Sequence, residues 1–306
     1  MLKFSSILDL IRAFPTEESC IKYLENLRWK NGVVSPFDST SQVYSCKNNR
    51  YKCKNTGKYF TVKTRTIFEG SKVSFQTWFI AIYLYTSHKR GISSYQLARD
   101  LAVTQKTAYF ILQRLRHATE HESFSRQFEG IVQCDETFVG GKNRNRHADK
   151  KVKNSQGRSF KKKTPVFGAV EKSTGFVKAI VIEDTKAQTI QPLLKQHIKS
   201  GSHVMTDEWH AYKNIQGYYK HTFVDHGRKQ YANQDTTTNA IECYWSHLKR
   251  SIIGVYYKTS RKHLQLYVNE STFRYNTKQM KTAQRFDLFL QTTENKRLTW
   301  QNLKVA

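Results

Sequence analysis

Apolar side chains recur at Ile241, Trp245, Leu248 and Ile252, offset by four, seven and eleven residues. That spacing is the stripe of an amphipathic helix, and it obliges the rest of the chain to supply an apolar surface beneath it. Glu242 and Lys249 stand one residue further round and seven apart, so an acid and a cation share a helix face at the rim of the buried stripe. On an isolated helix they are an ordinary solvated couple. The residues upstream give the pair another meaning.

From residue 131 the pattern is mixed α/β. IVQCDETFVG (131–140) is a strand running into a glycine turn, and TPVFGAVEK and FVKAIVIED form a hairpin closed at Ser173-Thr174-Gly175. A helix is expected from about 187 to 199, then strand HVMTD ending at Asp207, strand HTFVDH, the Glu242 helix, and a long helix over 261–276. Three antiparallel strands, a crossover helix, two further strands and a helix is the order of a ribonuclease-H-like fold with a mixed five-stranded sheet. On it Asp135 lies in the first strand, Asp207 at the end of the fourth and Glu242 on the helix after the fifth. Three acids from distant positions thus meet at one sheet edge. Clustered carboxylates repel unless cations neutralise them, and hard oxygen ligands suit Mg²⁺ or Mn²⁺. Two such ions could serve in-line phosphoryl transfer. Glu136 and Glu208 adjoin these acids, but neighbouring side chains on a strand alternate faces, so both are expected to point elsewhere.

The amino-terminal half reads as separate small modules. Residues 4–30 form two short helices broken at Pro15, the second capped by Thr16, with Cys20, Leu24 and Leu27 as its apolar stripe. Between Val33 and Val62 the period drops to two, with VYSC and RYKC around Asn48-Asn49 and KYFTV after Gly57, a small antiparallel meander. Cys46 and Cys53 cannot complete a four-ligand zinc site, so zinc is not expected and Tyr44, Tyr51, Tyr59 and Phe60 are left to hold the module. Residues 74–88 make an apolar core helix. In GISSYQLARDLAVTQKTAYFILQRLRHA (91–118), Ser93 or Ser94 caps one helix and Thr104 a second across a tight turn, as in a helix-turn-helix. The second helix is expected to expose Gln105, Lys106, Tyr109 and Arg114 to bases and phosphates; a helical hairpin without DNA is the alternative. From Lys278 onwards the chain reads as a polar, peripheral tail.

Composition narrows the partners. The chain has 51 Lys and Arg against 24 Asp and Glu, a formal net charge of +27 and a sequence pI of about 9.9. Such a surface attracts polyanions, nucleic acid before an anionic membrane. Ten of those cations fall between Lys142 and Lys163, and this run, including Lys161, Lys162 and Lys163, could follow a phosphate backbone. No apolar run is long enough for a membrane span and no secretory leader is expected, which places the protein in the cytoplasm, on the nucleoid when bound to DNA. Five cysteines without pairing rhythm fit a reducing compartment, and no phosphate-loop or dinucleotide motif suggests a nucleotide cofactor.

CDETFVGGK (134–142), TDEWHAY (206–212), TNAIECYWSHLKRSIIGVY (238–256) and KHLQLYVNESTFRYN (262–276) together closely resemble bacterial insertion-sequence transposases of the DDE type, the group related to the eukaryotic Merlin elements. IFEGSKVSFQTWFIAIYL and GISSYQLARDLAVTQKTAYF are similar to the amino-terminal half of that group, so the resemblance covers roughly residues 16–277. It implies a triad of Asp135, Asp207 and Glu242 holding two Mg²⁺ or Mn²⁺ ions, with Lys249 on DNA near the reacting phosphate. It also implies binding to terminal inverted repeats, strand cleavage and transfer, and a homodimer at synapsis. The group commonly carries a zinc ribbon with two CxxC knuckles, whereas SPFD (35–38) and CKNT (53–56) keep only Cys53. The expected organisation is therefore amino-terminal helices (1–30), a degenerate ribbon (31–68), a helix-turn-helix module (69–120), a catalytic domain (128–277) and a tail (278–306). A silent DNA-binding descendant of such an enzyme is the competing reading, and a general nuclease of the same fold a third.

Overall fold

The computed structural model describes residues 4–119, 125–140, 147–151, 163–224 and 237–305. The chain divides into two compact units, residues 1–120 with 279–306 and residues 121–278.

In the first unit, α1 (Ile7–Ala13) and α2 (Glu17–Arg28) are each opened by a hydroxyl cap, from Ser6 and Thr16, and are separated at Pro15 as the sequence requires. A three-stranded antiparallel sheet follows, β1 (Val43–Cys46), β2 (Arg50–Cys53) and β3 (Tyr59–Phe60). Its first turn, the three residues from Lys47 to Asn49, places Asn48 and Asn49 at φ 62° and 52°, left-handed values that asparagine adopts more readily than most residues. The aromatic support differs from expectation. Tyr44 and Tyr59 are about half exposed, because they occupy the outer face of the pleat, and Trp29 and Phe37 take their places against Tyr51 and Phe60.

At the ribbon's ligand positions, Cys53 has no exposed surface and Ser35 is buried. Burial pushes the Cys53 thiol up, but hydrogen bonds from Ser35, Ser41 and Thr56 outweigh it and hold it down to about 6. The Asp38 carboxylate is taken by the Asn55 amide at 2.8 Å and by Thr40 at 2.7 Å. One sulfur, hydroxyls and an already engaged carboxylate do not fit a tetrahedral zinc.

Helix α3 (Phe75–Ser87) is buried on most sides, and Glu17 accepts the Phe75 backbone N–H at 2.7 Å, closing the open amino end of α3. Helices α4 (Ser94–Asp100) and α5 (Gln105–His117) form the expected pair, capped by Ser93 and Thr104 with Ala102 at φ 52° in the turn. Arg114 does not lie on an outward face. Every side chain from Ile111 to Arg116 is buried, and the Arg114 guanidinium donates to the Ile67 carbonyl at 2.6 Å and lies over the Phe110 ring. The residues after Gln279 are also not a peripheral tail, because Phe286 and Phe289 interrupt their polar pattern with a core face. They sit on helix α9 (Thr282–Gln291) and are fully buried, Phe286 packing on Phe4, Phe14 and Phe79.

The second unit holds the mixed sheet. Strands β4 (Ile131–Val139), β5 (Thr164–Glu171) and β6 (Val177–Val181) are antiparallel neighbours; helix α6 (Ala187–His197) crosses over to β7 (His203–Asp207), and β8 (Lys220–Val224) completes the order β6-β5-β4-β7-β8. Both β7 and β8 run parallel to β4. Alternation along β4 sends Val132 and Cys134 into a core with Ile190 and Leu194 of α6. The opposite face receives α7 (Asn239–Ser251) and α8 (Leu264–Asn276). All four stripe residues, Ile241, Trp245, Leu248 and Ile252, are buried there against Val139, Val166, Val170 and Val177, and Tyr244 joins them. Each such aliphatic side chain contributes roughly 1.5–3 kcal/mol. The strand order, the crossover and the helix over this face make the unit ribonuclease-H-like. Among the described residues no helix is long and apolar enough to cross a membrane.

Candidate active site

Parallel pairing sets the site. Gln133 of β4 lies opposite Met205 of β7, so Asp135 and Asp207 follow two residues later along neighbouring strands. Asp207 is buried and its Oδ1 accepts the Trp209 backbone N–H at 3.1 Å, the turn that ends β7. Asp135 Oδ2 accepts the indole N–H of Trp245 at 2.9 Å. Glu242 lies exposed in the first turn of α7, where the Thr238 hydroxyl donates to it at 2.8 Å. The amino end of α7 is itself tied to the strand, since the buried Gln133 amide oxygen accepts the backbone N–H of Ala240 at 2.9 Å. Two alternate residues of one strand therefore fix the helix that carries Glu242.

Glu136 is closer to these acids than strand alternation suggested. Carboxylate oxygens of Asp135, Glu136 and Asp207 lie within 4.8 Å of one another, and Glu136 also accepts a hydrogen bond from the buried Tyr212 hydroxyl. A glutamate is long enough to reach the sheet edge from the α6 face, which the period-two argument ignores. Glu242 is not one of the three. Its charge nonetheless reaches Asp135, whose carboxyl is pushed up to about 7 by burial first, then by Asp207 and to a smaller degree by Glu242; the Glu136 backbone N–H and Trp245 oppose the shift. Such a site holds a proton near neutrality unless a cation replaces it. The donor set, carboxylate oxygens only and close together, fits a hard divalent ion such as Mg²⁺ or Mn²⁺.

Lys249, two turns along α7 from Glu242, is within electrostatic reach of both Asp135 and Lys163; burial lowers its ammonium first, Asp135 raises it and Lys163 lowers it further. Lys163 is half buried at the start of β5, whereas Lys161 and Lys162 lie outside the described residues. On α5 Lys106 is exposed and Gln105 and Tyr109 are half buried, with the Gln105 amide donating to Ser94 at 2.8 Å. Gln133, Tyr212 and Trp245 were missed by sequence reasoning, whereas Glu136 was noticed beside Asp135 and set aside on strand alternation.

A sheet of this order with an acid-lined edge beneath a carboxylate-bearing helix defines the ribonuclease-H-like class to which transposases and integrases belong. Residues 127–276 match the ISXO2-like transposase domain of the IS1595 group, and residues 15–69 match the transposase zinc-ribbon domain of the same group. Between them the two matches span about two thirds of the chain, which is thus an insertion-sequence transposase with an amino-terminal module of the zinc-ribbon type. A protein of transposable element ISH50 from Halobacterium salinarum is 29% identical over 252 residues, 78% of this chain and 84% of that one. A transposase-like protein of Haemophilus influenzae is 24% identical over 107 residues, 35% of this chain and 85% of its own length. Among solved structures, the catalytic core of BIV integrase aligns at 16% identity with TM-score 0.28, covering 46% of this chain and 81% of that one. The Mos1 transposase in a pre-cleavage transpososome aligns at 12% identity with TM-score 0.20, covering 95% and 92%.

Proposed function

We propose that this transposase binds the terminal inverted repeats of its element, cleaves the DNA there, and joins the freed 3′ ends to a target through Asp135, Asp207 and Glu242. The observation that carries the reading is the meeting of acids from β4 and β7 at the edge covered by α7, within a segment that matches a transposase domain. Asp135 and Asp207 are suited to share divalent ions, with Glu242 completing the set from the helix and Glu136 beside them. When bound, two Mg²⁺ or Mn²⁺ ions would supply activation of a hydroxyl nucleophile and charge neutralisation at the leaving oxygen. Lys249 brings positive charge within reach of Asp135, with Lys163 near it, where a DNA phosphate must come to rest against an otherwise repulsive edge. Gln105, Lys106 and Tyr109 on the first two turns of α5 are the residues assigned to repeat recognition. Two copies of the chain would hold two element ends, so a homodimer forms at synapsis.

The test is Mg²⁺-dependent nicking of a duplex carrying the flanking inverted repeat, beside a scrambled duplex and the Asp207→Ala variant. Repeat-specific nicking, abolished in the variant while repeat binding persists, is the expected result. Equal cutting of the scrambled duplex would indicate a general nuclease, and binding without nicking a catalytically silent descendant.

A further inference from the structure

Trp245 faces the acidic edge with its only polar atom. The side chain is 4% exposed, and an indole N–H can only donate, so once buried it must find an acceptor. The acceptor is Asp135 Oδ2, at 2.9 Å. A second observation shows that the sheet is shaped for this ring. Gly168 of β5 pairs with Asp135 across the ladder, and a Cβ on Gly168 would fall 2.5 Å from Cη2 and 2.6 Å from Cζ2 of Trp245 and 2.9 Å from Cδ1 of Ile241. Gly168 lies inside a strand and not in the left-handed region, so its backbone conformation does not call for glycine. Space for the indole does.

We propose that Trp245 is a positioning residue for metal binding: lodged over Gly168, it holds one carboxylate oxygen of Asp135 and thereby presents the other to the divalent ion. The inference rests on the reading of Asp135 as a metal ligand. A ligating carboxylate free to rotate must be ordered when the ion arrives, whereas one already held by a donor is ordered beforehand, and removing such outer partners typically costs about 10–100-fold in metal affinity. Gln133 fixes the start of α7 two residues earlier on the same strand, so the helix keeps an independent anchor when the indole is altered.

The experiment measures Mn²⁺ binding to the full-length protein without DNA, by titration calorimetry at fixed pH, together with melting temperature. Trp245→Phe retains a ring and loses the N–H; Gly168→Ala retains the N–H and displaces the ring. Both are expected to weaken Mn²⁺ by about 10–100-fold. Tyr244→Phe, which alters the neighbour of Trp245 on α7 and removes only a hydroxyl bonded to Thr272 of α8, serves as the packing control and should bind Mn²⁺ as the unaltered protein does, whatever its melting temperature. In the ¹⁵N-labelled protein the indole resonance that disappears in Trp245→Phe should move when Mg²⁺ is added. Unchanged Mn²⁺ affinity in Trp245→Phe, with binding lost in Asp135→Asn, would overturn the role of Trp245 alone. Binding unchanged in Asp135→Asn would overturn the carboxylate site and this inference together.

Discussion

Glu171 shows how a buried charge is kept without any part in chemistry. Its side chain is 1% exposed at the end of β5, and burial by itself would raise its carboxyl. Arg126, the Thr174 hydroxyl and the Glu129 backbone N–H all donate to it, and together they hold it down to about 2 from an ordinary 4.5. A carboxyl whose folded value is depressed stabilises the fold fully above its unfolded value and loses that contribution as pH falls through the folded value. Stability of the second unit should therefore decline between about pH 4.5 and 2, by roughly 3 kcal/mol. In Glu171→Gln, urea unfolding followed over that range should start lower near neutral pH and show a shallower decline on acidification. An undiminished acid slope in the variant would assign the loss to other carboxylates. Asp135 is of the opposite kind: burial and the charge of Asp207 push its carboxyl up to about 7, so the field there favours an added cation.

The ribbon is where sequence and family pull apart, and its fate is decided by an element rather than a residue. Three strands this short bury little, so a module of this kind ordinarily relies on a metal. Here Trp29, Phe37, Tyr51 and Phe60 pack together, while hydroxyls gather around Cys53. Purified protein should contain no stoichiometric zinc, and a strong chelator should leave its melting temperature unchanged. A molar equivalent of zinc by elemental analysis, with a chelator-induced fall of several degrees, would show that Cys53 recruits ligands outside the two knuckle positions. Other elements were legible because local chemistry and tertiary packing agree. Thr16, Ser93 and Thr104 start helices where capping says they must, and the Ile241–Ile252 stripe is the face that α7 buries. Asp135 and Asp207 could be placed because IVQCDETFV and HVMTD both read as strands, with Asp135 inside the first and Asp207 at the end of the second. Glu136, Trp245 and Gly168 were not, since their roles depend on what crosses the sheet from α6 and α7, and a periodicity carries no record of a partner 110 residues away. Arg114 and Phe286 failed for the same reason: each looks peripheral in its own segment and is enclosed by residues remote in sequence, Ile67 for one and Phe4 and Phe79 for the other.

At the scale of the whole molecule the excess of 27 positive charges sets a problem that the site alone cannot solve. Neutralising phosphates releases counterions, so such a protein binds any DNA tightly at low salt, and that affinity falls about 10³–10⁵-fold between 50 and 200 mM salt when 6–10 phosphates are contacted. Base-edge contacts do not weaken in this way, because they release no counterions. Where the two duplexes share their phosphate contacts, preference for the inverted repeat over a scrambled duplex should therefore persist as salt rises, even as both affinities drop. Two basic residues of α5, Lys106 and Arg114, divide this effect. Lys106 is exposed, so Lys106→Ala should lower the slope of log affinity against log salt by about one. Arg114 is bonded to the Ile67 carbonyl, so Arg114→Ala should leave the slope unchanged and reduce stability instead, because a buried carbonyl loses its donor. Fluorescence anisotropy on both duplexes from 50 to 200 mM salt, with thermal melts of the two variants, measures all of this. A preference that vanishes as salt rises would mean that discrimination resides in additional phosphate contacts rather than in bases. A reduced slope for Arg114→Ala would mean that α5 opens on binding to release that guanidinium to the DNA.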